Sequence, residues 1–133
     1  MPDPLTADER DLVAVATALL EARAGGDLHT VAAAVRAADG RVATGLNLHH
    51  FSGGPCAEVV ALANAAADGL DELDRIVAVG DAGRGVLAPC GRCRQVLLDL
   101  HPRIHVVVPV EDGLAAVPVA DLLPWAYRPR DGA

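Results

Sequence analysis

The apolar positions change period several times along the chain, and each change marks an element. Thr6-Ala7-Asp8-Glu9 has capping-box spacing, a hydroxyl followed three residues later by a carboxylate. Leu12, Val15, Ala16, Leu19 and Leu20 then recur at helical intervals until Gly25-Gly26. Two strands follow, Thr30–Arg36 and Val42–Leu48, joined by a turn at Ala38-Asp39-Gly40. After the breaker cluster Gly53-Gly54-Pro55, the stretch Cys56–Ala67 reads as a helix that is apolar on all sides and therefore buried. Arg75–Val79 reads as a short strand, and Gly80–Gly85 as a loop with three glycines. Pro89 opens a helix over Cys90–Leu100, which Pro102 ends. Ile104–Val110 is the most β-branched run and predicts a central strand. A last short helix is expected over Val119–Leu123, before Pro124.

Helices separating the later strands imply parallel pairing through crossovers, while the first two strands are close enough for a hairpin. The expectation is a mixed sheet layered by helices, in one domain spanning 1–133, since 133 residues suit a single core.

Composition narrows the function classes. Hydrophobic residues make up 52%, much of it Ala and Val, and the aromatics are only Phe51, Trp125 and Tyr127. A core so poor in rings is thin, and a subunit interface is expected to add buried area. Net charge is −7 with no basic run, which argues against a polynucleotide partner and for a small molecule. No stretch approaches the roughly 20 apolar residues of a membrane span. Met1-Pro2-Asp3-Pro4 shows no signal-peptide pattern, so a cytoplasmic location is expected. Three cysteines in a reducing compartment point to metal binding or catalysis rather than disulfides.

Cys90 and Cys93 are two residues apart at a helix entrance, where backbone amides favour thiolates. Alone, that pair also fits a redox dithiol or half of a structural zinc site. Cys56-Ala57-Glu58, at a second helix entrance, shifts the balance. Three cysteines supply three zinc ligands and leave the fourth position open, the mark of a catalytic site. A structural zinc with His49 or His50 as fourth ligand is the competing arrangement. His29, His101 and His105 read as surface or loop side chains. Glu58, not a ligand, is placed to move protons as base and then acid in zinc-assisted hydrolysis. Three thiolates leave the ion's surroundings negative, and Arg92, between two of them, is the expected charge-balancing group.

The densest motifs are Phe51-Ser52-Gly53-Gly54-Pro55-Cys56-Ala57-Glu58 and the run Arg84–Pro102, which contains Pro89-Cys90-Gly91-Arg92-Cys93. With these the sequence resembles the cytidine deaminase superfamily, whose zinc signature joins a Cys or His, a Glu and Pro-Cys-x-x-Cys. Within it the likeness is read as strongest to the blasticidin S deaminases. The resemblance implies an α/β/α sandwich around a five-stranded mixed sheet, with the fifth strand near Ala115–Val119, assembled as a homotetramer. It implies one Zn2+ per subunit on Cys56, Cys90 and Cys93, with Glu58 catalytic. The implied reaction replaces the 4-amino group of a cytosine-type nucleoside by oxygen and releases ammonia.

Substrate contacts are implied at Thr30, Asn47, Arg84 and Tyr127, whereas Trp125 has no counterpart in the relatives. The family's Asn-x-Glu ribose motif is incomplete here, reading Asn47-Leu48-His49, and Arg84 is expected to meet a carboxylate on the ligand. Blasticidin S, with a role in antibiotic resistance, is the expected substrate. Cytidine, deoxycytidine or a free cytosine- or triazine-like base is the alternative, in nucleoside salvage. A non-catalytic zinc protein that binds nucleosides is the reading from another class.

Overall fold

The computed structural model describes residues 5–129, so the Met1–Pro4 stretch read for a leader lies outside them. Helix α1 (Ala7–Arg23) begins at the expected box: the Glu9 amide donates to Thr6 Oγ1 at 3.2 Å, and the Thr6 amide donates to Glu9 Oε1 at 2.9 Å. Its buried stripe is Leu12, Ala16 and Leu20. Val15, counted in that stripe from spacing, is exposed instead, and Val13 packs toward the core. One residue is a rotation of about 100° on a helix, enough to move a side chain off the buried face.

Strands β1 (Val31–Ala37) and β2 (Val42–Leu46) form the expected antiparallel hairpin. Helix α2 (Ala57–Ala67) leads to β3 (Leu73–Gly80). A short strand β4 (Gly85–Leu87) precedes helix α3 (Gly91–Leu100), and β5 (His105–Val110) and β6 (Gly113–Pro118) close the sheet. Five strands lie in the order β2-β1-β3-β5-β6. β1 pairs with β3 along its whole length, so β4 and β5 share the other edge of β3: β5 against Arg75 and Ile76, β4 against Ala78 to Gly80. The β3–β5 pair is parallel, as the α3 crossover requires. The α2 crossover skips one place, because β1 lies antiparallel between β2 and β3.

The sheet is covered on both faces, which gives the three-layer α/β/α architecture. Ala32, Ala34, Val77, Val79 and Val107 face α1; Ala33, Val35, Ile76, Ala78, Val106 and Val108 face α2 and α3. Burial on both faces explains the near-continuous apolar runs of β1, β3 and β5. The fifth strand falls where it was expected.

Two sequence expectations need correction. β4 was not anticipated: Gly85 was read as the end of a loop and Val86-Leu87 as no element, since three residues are too few to carry a pattern. Helix α2 is not buried all round, since Ala63, Asn64, Ala66 and Ala67 are exposed. Alanine counts as apolar yet costs little in water, so an alanine-rich helix need not be enclosed. The last short helix is present as expected, as a 3-10 helix over Val119–Leu122.

Helix α2 sits close on the sheet because of Gly45. A methyl group there would come within 2.5 Å of the Ala61 nitrogen and 2.9 Å of the Ala57 oxygen. Asn64 Nδ2 donates to the Thr44 carbonyl at 2.7 Å and fixes the same contact one turn further on. The first turn of α2 is thereby held against β2, next to where β2 ends and the site begins.

Candidate active site

Cys56 caps α2 and Cys90 caps α3, both with extended backbone, so two helix entrances converge. Cys93 lies one turn into α3 and is buried, Cys56 is half-buried, and Cys90 is exposed. The three sulfurs lie within 4.8 Å of one another, with Cys56 Sγ 3.7 Å from Cys90 Sγ. Sulfurs at tetrahedral corners about 2.3 Å from zinc would sit about 3.8 Å apart, so the donor set fits the ion in number, type and spacing. No histidine joins this cluster among the described residues. That leaves the fourth-ligand role once considered for His49 or His50 without support.

The electrostatics of the four groups differ. Burial pushes the Cys93 thiol far above its ordinary range, with the Glu58 charge adding to the effect. Burial also raises Cys56, and the Cys90 thiol beside it adds to that. At Cys90 burial acts upward too, but the amides of Cys93 and Arg92 and the neighbouring thiols outweigh it and lower the thiol. Glu58, only 7% exposed, is raised by burial, against weaker opposing contacts from its own amide and Cys93. Burial thus favours the neutral forms of Cys56, Cys93 and Glu58, while Cys90 is shifted toward its thiolate; a bound divalent ion would favour the charged form of every one of them.

The groups open onto a cavity of about 280 Å³. Cys56, Glu58 and Cys90 line it together with Asn47, Leu48 and His49 and with the apolar Val31, Ala78, Leu87 and Ala88. β4 therefore contributes a wall through Leu87, which no sequence period could show. The loop after β2 folds tightly back on itself: a methyl group on Gly54 would fall 1.6 Å from the Leu48 oxygen. Arg94, which sequence reasoning passed over, donates through Nε to the Pro89 carbonyl at 2.8 Å and through Nη1 to the Leu122 carbonyl at 2.9 Å. It pins the turn that presents Cys90.

The remaining sequence candidates form a second group. Asn47 lines the cavity, but its Oδ1 accepts from the Thr30 and Val31 amides at 2.8 and 2.9 Å, and its Nδ2 donates to Thr30 Oγ1 at 3.0 Å. Thr30 is thus tied to Asn47 and does not line the cavity itself. Arg84 Nη2 donates to the Thr30 carbonyl at 3.0 Å and to Asp81 Oδ1 at 2.9 Å, and Nε donates to the Asp81 carbonyl at 3.2 Å. Its guanidinium faces its own loop rather than the cavity. The Tyr127 carbonyl accepts from Gln95 while its ring is largely exposed. The Arg92 side chain is exposed and enters none of the hydrogen bonds found among the described residues. Its contribution to Cys90 comes from the backbone amide.

Three thiols beside a buried carboxylate, at the end of a nucleoside-sized cavity and between two helix entrances, define a zinc-dependent aminohydrolase of the α/β/α type. The family described as the cytidine and deoxycytidylate deaminase zinc-binding region matches residues 7–109, and the chain belongs to it. Cytidine deaminase of Mycobacterium tuberculosis H37Rv is 44% identical over 99 residues, covering 73% of this chain and 71% of that protein. The solved cytidine deaminase of Burkholderia pseudomallei superposes with a TM-score of 0.74 at 34% identity, covering 92% of this chain and 100% of the other. Blasticidin-S deaminase of Bacillus cereus is 28% identical over 132 residues, covering 92% of this chain and 94% of that protein. The expectation that the blasticidin S branch is the nearer one is corrected by these values. The higher identities and the matching solved structures belong to cytidine deaminases. The incomplete Asn47-Leu48-His49 motif and Arg84, on which that expectation rested, are single local features that do not outweigh identity along the chain.

Proposed function

We propose that this chain deaminates cytidine and deoxycytidine to the corresponding uridines. The observation that carries this is the cluster of Cys56, Cys90 and Cys93 within 4.8 Å of one another, beside the buried Glu58 in a cavity of about 280 Å³. The three sulfurs would hold zinc, which when bound supplies Lewis acidity at neutral pH. Glu58 takes a proton from the attacking water and delivers it to the pyrimidine ring nitrogen, which makes C4 electrophilic. It then carries a proton to the departing amine, so that ammonia leaves and a carbonyl remains. A non-catalytic nucleoside binder has no use for Glu58 in this position.

The test is an ultraviolet assay for loss of the 4-amino group on cytidine, deoxycytidine and cytosine, with zinc measured on the same sample. Turnover of the nucleosides at one zinc per chain is expected; zinc-loaded protein inert toward all three refutes the reading. The relatives named as cytidine deaminases and the cavity of about 280 Å³ beside Glu58 and the three thiols support it.

The same reading includes a homotetramer in the cytoplasm. Support comes from the exposed alanine face of α2 and from Phe51, Trp125 and Tyr127, 97%, 102% and 69% exposed. Aromatic rings on a surface mark contacts. Light scattering giving a monomer mass would refute the assembly. Three thiols that must stay reduced suit a reducing compartment.

A further inference from the structure

With the pyrimidine at the cysteines and Glu58, as the aminohydrolase reading has it, the sugar is left the rest of the cavity lining, where Asn47, Leu48 and His49 lie and Leu48 and His49 are exposed. A vicinal diol has two hydroxyl donors, and a site that grips it needs two acceptors close together. Among the described residues, the polar side chains lining this cavity apart from Glu58 and the thiols are Asn47 and His49. Asn47 has no acceptor left: both lone-pair directions of Oδ1 are taken by the Thr30 and Val31 amides, and one Nδ2 hydrogen is used on Thr30 Oγ1. It keeps a single donor.

Three backbone carbonyls near this part of the site each already accept one hydrogen bond. Asn47 O accepts from the His29 ring at 2.7 Å, Leu28 O from the His49 amide at 2.9 Å, and Pro55 O from the Leu48 amide at 3.1 Å. The His49 imidazole enters no hydrogen bond found among the described residues and is exposed at the mouth. A neutral imidazole offers one acceptor and one donor, not the paired oxygens of a carboxylate.

From this we infer that His49 sets the sugar specificity and that the cavity reads the base without gripping the 2′,3′-diol. Nucleosides lacking one or both of those hydroxyls, including 2′,3′-dideoxy sugars, belong to its substrate class. The inference rests on the aminohydrolase reading above.

The experiment compares kcat/KM for cytidine, 2′-deoxycytidine and 2′,3′-dideoxycytidine. It also measures Kd by calorimetry for uridine and 2′,3′-dideoxyuridine, in wild type and in His49→Glu. Losing one net hydrogen bond lowers binding by about tenfold, whereas a site built to bond a hydroxyl rejects its absence by about 10⁴-fold. A cytidine to dideoxycytidine ratio below about a hundredfold in wild type, raised in His49→Glu, is expected from that contrast. A larger wild-type ratio, or one that His49→Glu leaves unchanged or lowers, overturns the inference. If no nucleoside is turned over, the aminohydrolase reading fails, and the uridine to dideoxyuridine Kd ratio decides the sugar question by the same criterion. His49 is exposed, so the variant is expected to fold, and a thermal melt verifies it.

Discussion

The two faces of the sheet bury acidic groups in opposite ways. On the α1 face Glu9 is 6% exposed, and both its oxygens are occupied: one accepts from the Thr6 amide, the other from Arg75 Nε at 2.8 Å. Burial alone would raise its carboxyl, but Arg75 and Thr6 outweigh that and hold it below the usual range. On the α2–α3 face Glu58 is equally buried, yet it is raised, and Cys56 and Cys93 beside it are raised too. A fold that satisfies one buried carboxylate internally and leaves the other without a cation is one that reserves the second for an external partner. The first face is finished by the chain itself; the second is finished by zinc and substrate.

The sharpest way to break this contrast is to remove a ligand from the unfinished face. Cys93→Ala is expected to lose bound zinc and with it all measurable turnover, read by metal analysis and the ultraviolet assay. Retention of one zinc per chain would mean that the three sulfurs are not the site. Glu58→Gln should keep the zinc and lose about 10²- to 10⁴-fold or more in kcat, the range for a positioned proton carrier. Wild-type turnover in that variant would remove the proposed mechanism. On the finished face, Glu9→Gln should leave kcat alone and cost about 1–3 kcal/mol of unfolding free energy, because it breaks a pair whose Arg75 side is partly solvated. Since the folded carboxyl is held below its ordinary value of 4.5, its stabilisation is full above that value and is lost as pH falls through the folded one. The gap between Glu9→Gln and wild type should therefore close below pH 4.5 in denaturant titrations; a gap constant down to pH 3 would contradict the pairing.

The contrast also sorts what could be read from sequence. The capping box and the Cys and Glu spacings at two helix entrances were legible, because the geometry that unites each is local to one turn of chain. That Cys56 meets Cys90 depended on the sheet order, which places α2 and α3 on one face, and family likeness stood in for that knowledge. β4 escaped notice because three residues carry no period. The commitment of Asn47 to Thr30 and Val31 was invisible for a different reason. It joins positions 16 and 17 residues apart across a hairpin, and residue type does not reveal which hydrogen bonds are already spent.

Arg84 brings that last point to a test. Its residue type suits an anion on a ligand, but its guanidinium makes three hydrogen bonds to Thr30 and Asp81. Those bonds tie the Gly80–Gly85 loop to the start of β1, and a methyl group on Gly80 would come within 2.9 Å of the Arg84 guanidinium, so the side chain lies flat across the strand. Arg84 is 45% exposed, which discounts its ion pair with Asp81 and leaves the carbonyl contacts as the larger part of its effect. Arg84→Ala should therefore lower stability by about 1 kcal/mol and change KM for cytidine by no more than about twofold. A KM raised tenfold or more with an unchanged melting temperature would place the guanidinium on the substrate and extend the unfinished face to this loop. A fall in stability with unchanged KM would assign Arg84 to the same self-satisfied chemistry as Glu9, on the opposite side of the comparison from Glu58.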